Sequence, residues 1–150
     1  MSASTHRNVG LTHVANALAR RYVFDDLGRI TGCHDRHGGG TPRFVLGRAR
    51  EGVVWRFRSG LDPGLVVEIG RLAAREQGFP IDGERAQAPE RLAEIAKRID
   101  RHDRTHVAEG HSPQILALED EGRRTPDAPA VRHHWVSHGT NVVGELWTID

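Results

Sequence analysis

Apolar and polar side chains alternate most regularly between Gly52 and Arg58. Val53, Trp55 and Phe57 fall on one parity, and Val54, Arg56 and Arg58 on the other. A period of two belongs to a strand with one buried face, so two aromatic rings are expected to turn inward while guanidinium groups face away. The run from Pro42 to Arg50 precedes it across a short polar Glu51-Gly52 connection, and the two together read as a hairpin. Downstream the period changes. Asp62 is a natural helix N-cap, and Pro63 at the first helical position lacks only an N–H that would be unpaired anyway. Leu65, Val66, Ile69, Leu72 and Ala73 then recur at helical spacing, and Gly78 and Pro80 close the run, predicting a helix over 63–77. Trp55 and Phe57 should pack against it, with Arg56 pointing away. Leu92, Ile95, Ala96 and Ile99 after Pro89 mark a second amphipathic helix.

The flanking segments are shorter. Residues 1–10 read as a loose polar terminus, and Thr12 as the cap of a short helix running through Arg20, with Val14, Ala15 and Leu18 on one face. Tyr22-Val23-Phe24 and Arg29-Ile30-Thr31 read as strands around the turn Asp25-Asp26-Leu27-Gly28, and Gly32 to Thr41 as a Gly-rich loop. Past Asp103 the pattern weakens. Thr105 to Ala108 and Gln114 to Leu118 are read as short strands, and 119–130 as an exposed loop or linker. Val131 to Ser137 and Val142 to Ile149 flank a turn at 138–141 and predict a closing hairpin. The sum is one α+β domain over 1–150, with an antiparallel sheet of five to seven strands and two main helices packed on one face.

Composition narrows the chemistry. With 21 basic and 20 acidic side chains the net charge is +1, so no global attraction to nucleic acid is expected and any anion site must be a local patch. Cys33 is the only cysteine, which excludes an internal disulfide and a thiolate zinc cluster. No secretion signal is read at the start, and no apolar stretch approaches the roughly 20 residues that cross a bilayer. A cytoplasmic protein without membrane contact is expected.

The four hairpin arginines, Arg43, Arg48, Arg56 and Arg58, are the candidate ligand-binding residues, because guanidinium forks recognise phosphate or carboxylate bidentately. The plainer account is that they keep the hairpin soluble, their stems covering apolar surface. His133, His134 and His138 lie close together, but in a strand the spacing from His134 to His138 spans roughly 13 Å. They are read as solvated, and no metal site is expected. Cys33-His34 and His37 could pair a thiol with imidazole, and Gly38 to Gly40 could admit phosphate to backbone N–H groups. Neither has the further residues its chemistry needs: no orienting group is evident, and Thr41-Pro42 follows in place of a phosphate-loop Lys-Ser or Lys-Thr. Trp135 and Trp147 are read as core anchors rather than stacking platforms.

The run Gly28-Arg29-Ile30, then Pro42-Arg43-Phe44-Val45-Leu46-Gly47-Arg48, then Gly52 with Trp55-Arg56-Phe57-Arg58, then Leu61 with Leu65-Val66, resembles the N-terminal region of certain bacterial proteins of the GNAT superfamily of N-acetyltransferases. The resemblance covers about residues 20–110. In those proteins this region is an accessory segment preceding the acetyltransferase domain, so the resemblance implies no catalytic residue. The Arg/Gln-x-x-Gly-x-Gly/Ala loop that holds the acetyl-CoA pyrophosphate is missing here, and about 40 residues follow the resembling region, too few for an acetyltransferase domain. The expectation is a non-catalytic binding or regulatory module with no cofactor, whose partner is a small anionic ligand or a protein. Two alternatives stand beside it. One is a small acyltransferase-like enzyme acting on an anionic or CoA-like substrate; the other is a nucleic-acid or protein interaction module using the arginine face.

Overall fold

The computed structural model describes residues 9–34, 41–78, 87–110 and 131–150, with side chains of the third segment followed to 103. The elements run α1 (Val9–Arg21), β1 (Tyr22–Phe24), β2 (Ile30–Cys33), β3 (Phe44–Ala49), β4 (Gly52–Phe57), α2 (Pro63–Ala73), α3 (Leu92–Gly110), β5 (Val131–His138) and β6 (Asn141–Ile149). The fold is α+β and its strand pairs are antiparallel. Among the described residues the strands are divided between a four-stranded sheet, ordered β4–β3–β6–β5, and the separate pair β1–β2, rather than gathered into one sheet of five to seven. The division has a local cause. β2 meets the end of β4 through a single bridge, Ile30 to Arg58, and then diverges. Thr105 to Ala108 does not form the expected strand; it continues α3. The segments Gln114–Leu118 and 119–130 lie outside the described residues, as do the start of the terminal segment 1–10 and most of the Gly-rich loop.

Strand parity sorts the core into two layers. Phe44, Leu46, Trp147 and Ile149 face α2 and α3, joining Leu65, Ile69, Ile95 and Ile99. Val45, Ala49, Leu146 and Val136 face α1 and the β1–β2 hairpin, joining Val14, Leu18, Tyr22 and Ile30. The two main helices therefore share one face as expected, while α1 covers the other. Every residue of β3 is buried because this central strand is covered on both sides. That accounts for its near-continuous apolar run, in contrast to the alternation of β4.

Two glycines let α1 approach. A Cβ on Gly47 would sit 2.3 Å from Val14 Cγ1, and one on Gly144 would sit 2.4 Å from Val14 Cγ2. These neighbouring positions on β3 and β6 leave a flat on the sheet that Val14 fills. On the opposite face, α2 starts as its sequence dictates, with Asp62 Oδ2 accepting the Leu65 N–H at 3.0 Å. It ends at Ala73, short of the expected 77, and the chain continues in single turns closed by Leu72 and Ala73 carbonyls. Gly78 then abuts the β3–β4 connection, where a Cβ would lie 2.4 Å from the Ala49 carbonyl oxygen. Trp55 and Phe57 pack on the α2–α3 layer in the expected register, though half-buried rather than enclosed, and Arg56 lies on the opposite parity.

Candidate functional site

The four hairpin arginines do not converge. Arg48 turns under the α2–α3 layer and is only 5% exposed. It stands opposite Glu145 on β6, and cross-strand partners share a face. Arg48 Nε donates to Glu145 Oε1 at 2.8 Å and Nη2 to the same oxygen at 2.5 Å, while Nη2 also reaches the Gln87 carbonyl. The second carboxylate oxygen is held by His133 Nε2 at 2.9 Å. An ionised carboxylate only accepts, so that bond requires the imidazole proton on Nε2. The His133 ring packs edge-on against Trp135 at 4.6 Å and tilted against Trp147 at 4.3 Å. His133 is therefore a partly buried member of a network, not the solvated side chain expected from its neighbours. Glu145, fully buried, went unnoticed in the sequence. The available signal was an inward-parity carboxylate on β6 matched by an inward-parity arginine on β3, legible only once the two strands are paired.

Arg43 and Arg58 meet at the end of the hairpin, where the Arg58 N–H donates to the Arg43 carbonyl at 3.0 Å. Arg43 Nε donates to the Asp150 carbonyl at 2.6 Å, and Nη1 pairs with Asp103. Burial, and next the charge of Arg58, lower the Arg43 pKa. Arg58 Nη1 donates to the Thr41 carbonyl at 3.2 Å. Arg56, on the other parity, donates from Nη1 to the carbonyl of its neighbour Trp55 at 2.7 Å.

Arg56 borders a groove of about 480 Å³ between β4, the 25–29 turn and α2, lined by Leu27, Gly28, Arg29, Trp55, Phe57 and Val66. Asp25 builds the turn wall. Its Oδ1 accepts the Leu27 and Arg29 N–H groups, each at 2.9 Å, and its Oδ2 takes Arg29 Nε at 2.7 Å. The Arg29 backbone bond foremost keeps the Asp25 carboxyl below the usual carboxylate range. Gly28 carries the positive φ of 76° that the turn needs. This scaffold presents Leu27 to solvent at 77% exposure.

A second, polar cleft of about 330 Å³ brings Arg75, Glu76, Gln87 and Arg91 beside Arg48. Glu76 is buried and accepts the Arg91 backbone N–H at 2.5 Å, and Arg91 Nη1 bonds the Arg75 carbonyl at 3.0 Å.

The remaining histidines separate. Burial first, then the nearby charges of Arg21, His133 and Arg132, lower the His134 pKa. His138 stacks on His13 of α1 with ring centres 4.1 Å apart. Cys33 is a free, partly exposed thiol, and the neighbouring His34 N–H donates to the Arg21 carbonyl at 2.8 Å; His37 and the glycines at 38–40 fall outside the described residues. Trp147 is buried in the core, as read, whereas Trp135 is half-buried. Among the described residues no three His, Cys, Asp or Glu side chains gather so as to hold a metal ion, and no helix is long and apolar enough to cross a membrane. Comparison with known proteins finds no family model, no curated protein and no solved structure that matches the chain.

Proposed function

We propose that the chain is a non-catalytic binding or regulatory module of the kind implied by its resemblance to the accessory N-terminal region of GNAT proteins. It would act in the cytoplasm, a reducing compartment that suits its single free thiol. One observation carries the reading. Gly28, Arg29, Trp55, Arg56, Phe57 and Val66, distant in sequence and all within the resembling run, line a single groove. A pattern that converges on one surface is that of a recognition site.

The test is an acetyl-transfer assay of the purified chain with acetyl-CoA and a panel of primary amines, following release of the CoA thiol. Release no faster than in the protein-free blank is expected. Amine-dependent release that scales with protein concentration would overturn the reading. A second reading, a small enzyme on an anionic or CoA-like substrate, draws on the cleft where Arg48, Arg75 and Arg91 meet. That assay decides between the two, and calorimetric titration with CoA reports whether the cleft binds an anion at all.

A further inference from the structure

We propose that the outer edge of β4 is a docking site for an extended acidic segment of a partner polypeptide, which adds to the sheet as a strand. The proposal deepens the binding-module reading and rests on it. Among the described residues β4 is the terminal strand of the four-stranded sheet. The bond from Arg58 N–H to the Arg43 carbonyl marks that residue pair as hydrogen-bonded. In an antiparallel ladder such pairs alternate with non-bonded ones, so the backbone groups of Val53 and Trp55 face outward, while beyond them the parallel Ile30–Arg58 bridge already occupies the edge. The Arg56 guanidinium on the Trp55 carbonyl agrees, since it reaches that oxygen from the open side. That bond joins adjacent residues, and an incoming N–H can replace it without disturbing the fold.

The surroundings specify the occupant. The Ser59 N–H donates to the Ile30 carbonyl at 2.9 Å, fixing the β1–β2 hairpin at the far end of the edge. The 25–29 turn is thereby held as a wall, with Leu27 exposed upon it. Trp55, Phe57 and Val66 supply apolar contacts for alternate side chains of an added strand. Among the described residues neither Arg56 nor Arg58 has a carboxylate partner, whereas Arg29 is already paired with Asp25 at 2.7 Å. A half-buried cation beside an open edge is satisfied by an acidic side chain on the arriving strand. A second copy of this chain presenting the same edge would set Arg56 and Arg58 against like charges, which disfavours self-pairing.

The probe is a fluorescein-labelled octapeptide of alternating valine and glutamate, titrated with the full chain by anisotropy. Controls replace glutamate by lysine, or the central valine by proline, which cannot donate to a ladder. The glutamate peptide is expected to bind saturably, to weaken as salt rises, and to slow hydrogen exchange at the Val53 and Trp55 amides. Both control peptides, and the glutamate peptide on Arg56→Gln, should bind at least about tenfold more weakly. Thermal melting and circular dichroism verify that the variant remains folded. Absence of binding, equal affinity for the lysine peptide, or binding without protection of those amides overturns the proposal. Displacement of the peptide by an oligothymidylate of equal charge, without such protection, overturns it in favour of simple charge attraction. None of these results touches the acetyl-transfer assay, so the module reading stands or falls separately.

Discussion

The buried Arg48–Glu145 pair lends itself to a decisive stability experiment. Glu145 is wholly inaccessible and Arg48 nearly so, so truncating either leaves a charge in a low-dielectric layer without its counter-charge. Breaking a buried pair in this way costs about 3–5 kcal/mol, whereas replacing both partners by apolar residues of similar volume is often neutral or stabilising. Glu145→Leu alone should therefore remove a large share of the roughly 5–15 kcal/mol that a domain of this kind possesses. At a urea slope of about 2 kcal/mol per molar, the midpoint falls by about 1.5–2.5 M. Arg48→Met alone leaves Glu145 with His133 as its remaining partner and should cost somewhat less. The double variant should be far more stable than the sum of the two implies, losing on the order of 1 kcal/mol for the unpaired His133 and Gln87 groups. Urea unfolding followed by far-ultraviolet circular dichroism and tryptophan fluorescence measures all three, provided the slopes agree. Strict additivity, or a Glu145→Leu cost below about 1 kcal/mol, would refute the claim that Arg48 and Glu145 act as a coupled buried pair.

Three further outcomes follow from local geometry. Gly144→Ala forces a methyl within 2.4 Å of Val14 Cγ2 and 3.0 Å of the Arg48 carbonyl oxygen and should cost about 1–3 kcal/mol by overpacking; in a Val14→Ala background that cost should fall, which the same unfolding assay reads as a coupling energy. Asp62→Ala removes the acceptor of the Leu65 N–H and should cost about 1 kcal/mol, while Asp62→Asn, which keeps an acceptor, should cost markedly less. His134 has its pKa lowered in the fold, chiefly by burial, so the unfolded chain binds that proton first. Its contribution to stability is complete above about pH 6.5 and is lost as pH falls from there toward the folded value. The urea midpoint of His134→Gln should accordingly decline less between pH 7.5 and 5.5 than that of the parent chain, and equal declines would show that this imidazole does not set the slope.

The parts of the fold legible in the sequence are those whose cause is local. β4 announced itself because one face is only half-covered, so Trp55 and Phe57 alternate with Arg56. α2 announced itself because Asp62, Pro63 and an apolar stripe agree. α1 is described from Val9, ahead of the Thr12 cap that its sequence predicts. There the Gly10 N–H is met by Glu51 Oε1 at 3.4 Å, from the distant β3–β4 connection, a contact no local pattern announces. Thr105 to Ala108 carries β-branched residues that suggest a strand, yet the α3 turn already established carries through it. Propensity yields there to continuity.

The arginines draw the same boundary for function. Arg43, Arg48, Arg56 and Arg58 look equivalent in sequence, yet the fold gives each a different fate. Arg48 is neutralised by a residue 97 positions away, and Arg43 is tied to Asp103 and Asp150. Only strand pairing between β3 and β6 could have revealed the first, and only the placement of α3 the second. Arg56 and Arg58 meet no carboxylate among the described residues, and the outer side of β4 is touched there only at its end, by the Ile30–Arg58 bridge. Of the four arginines read as one anion site, Arg56 and Arg58 are the two without a carboxylate partner among the described residues. Those two border the edge where the resembling residues converge. Long-range pairing is what separates an arginine that builds the protein from one that can still recognise something else, and the two classes should respond differently to mutation. Arg48→Met should move the urea midpoint, whereas Arg56→Gln should leave it nearly unchanged and move only the affinity for an acidic strand. A large loss of stability from Arg56→Gln would place that residue with Arg48 among the builders and remove the reason for assigning recognition to the β4 edge.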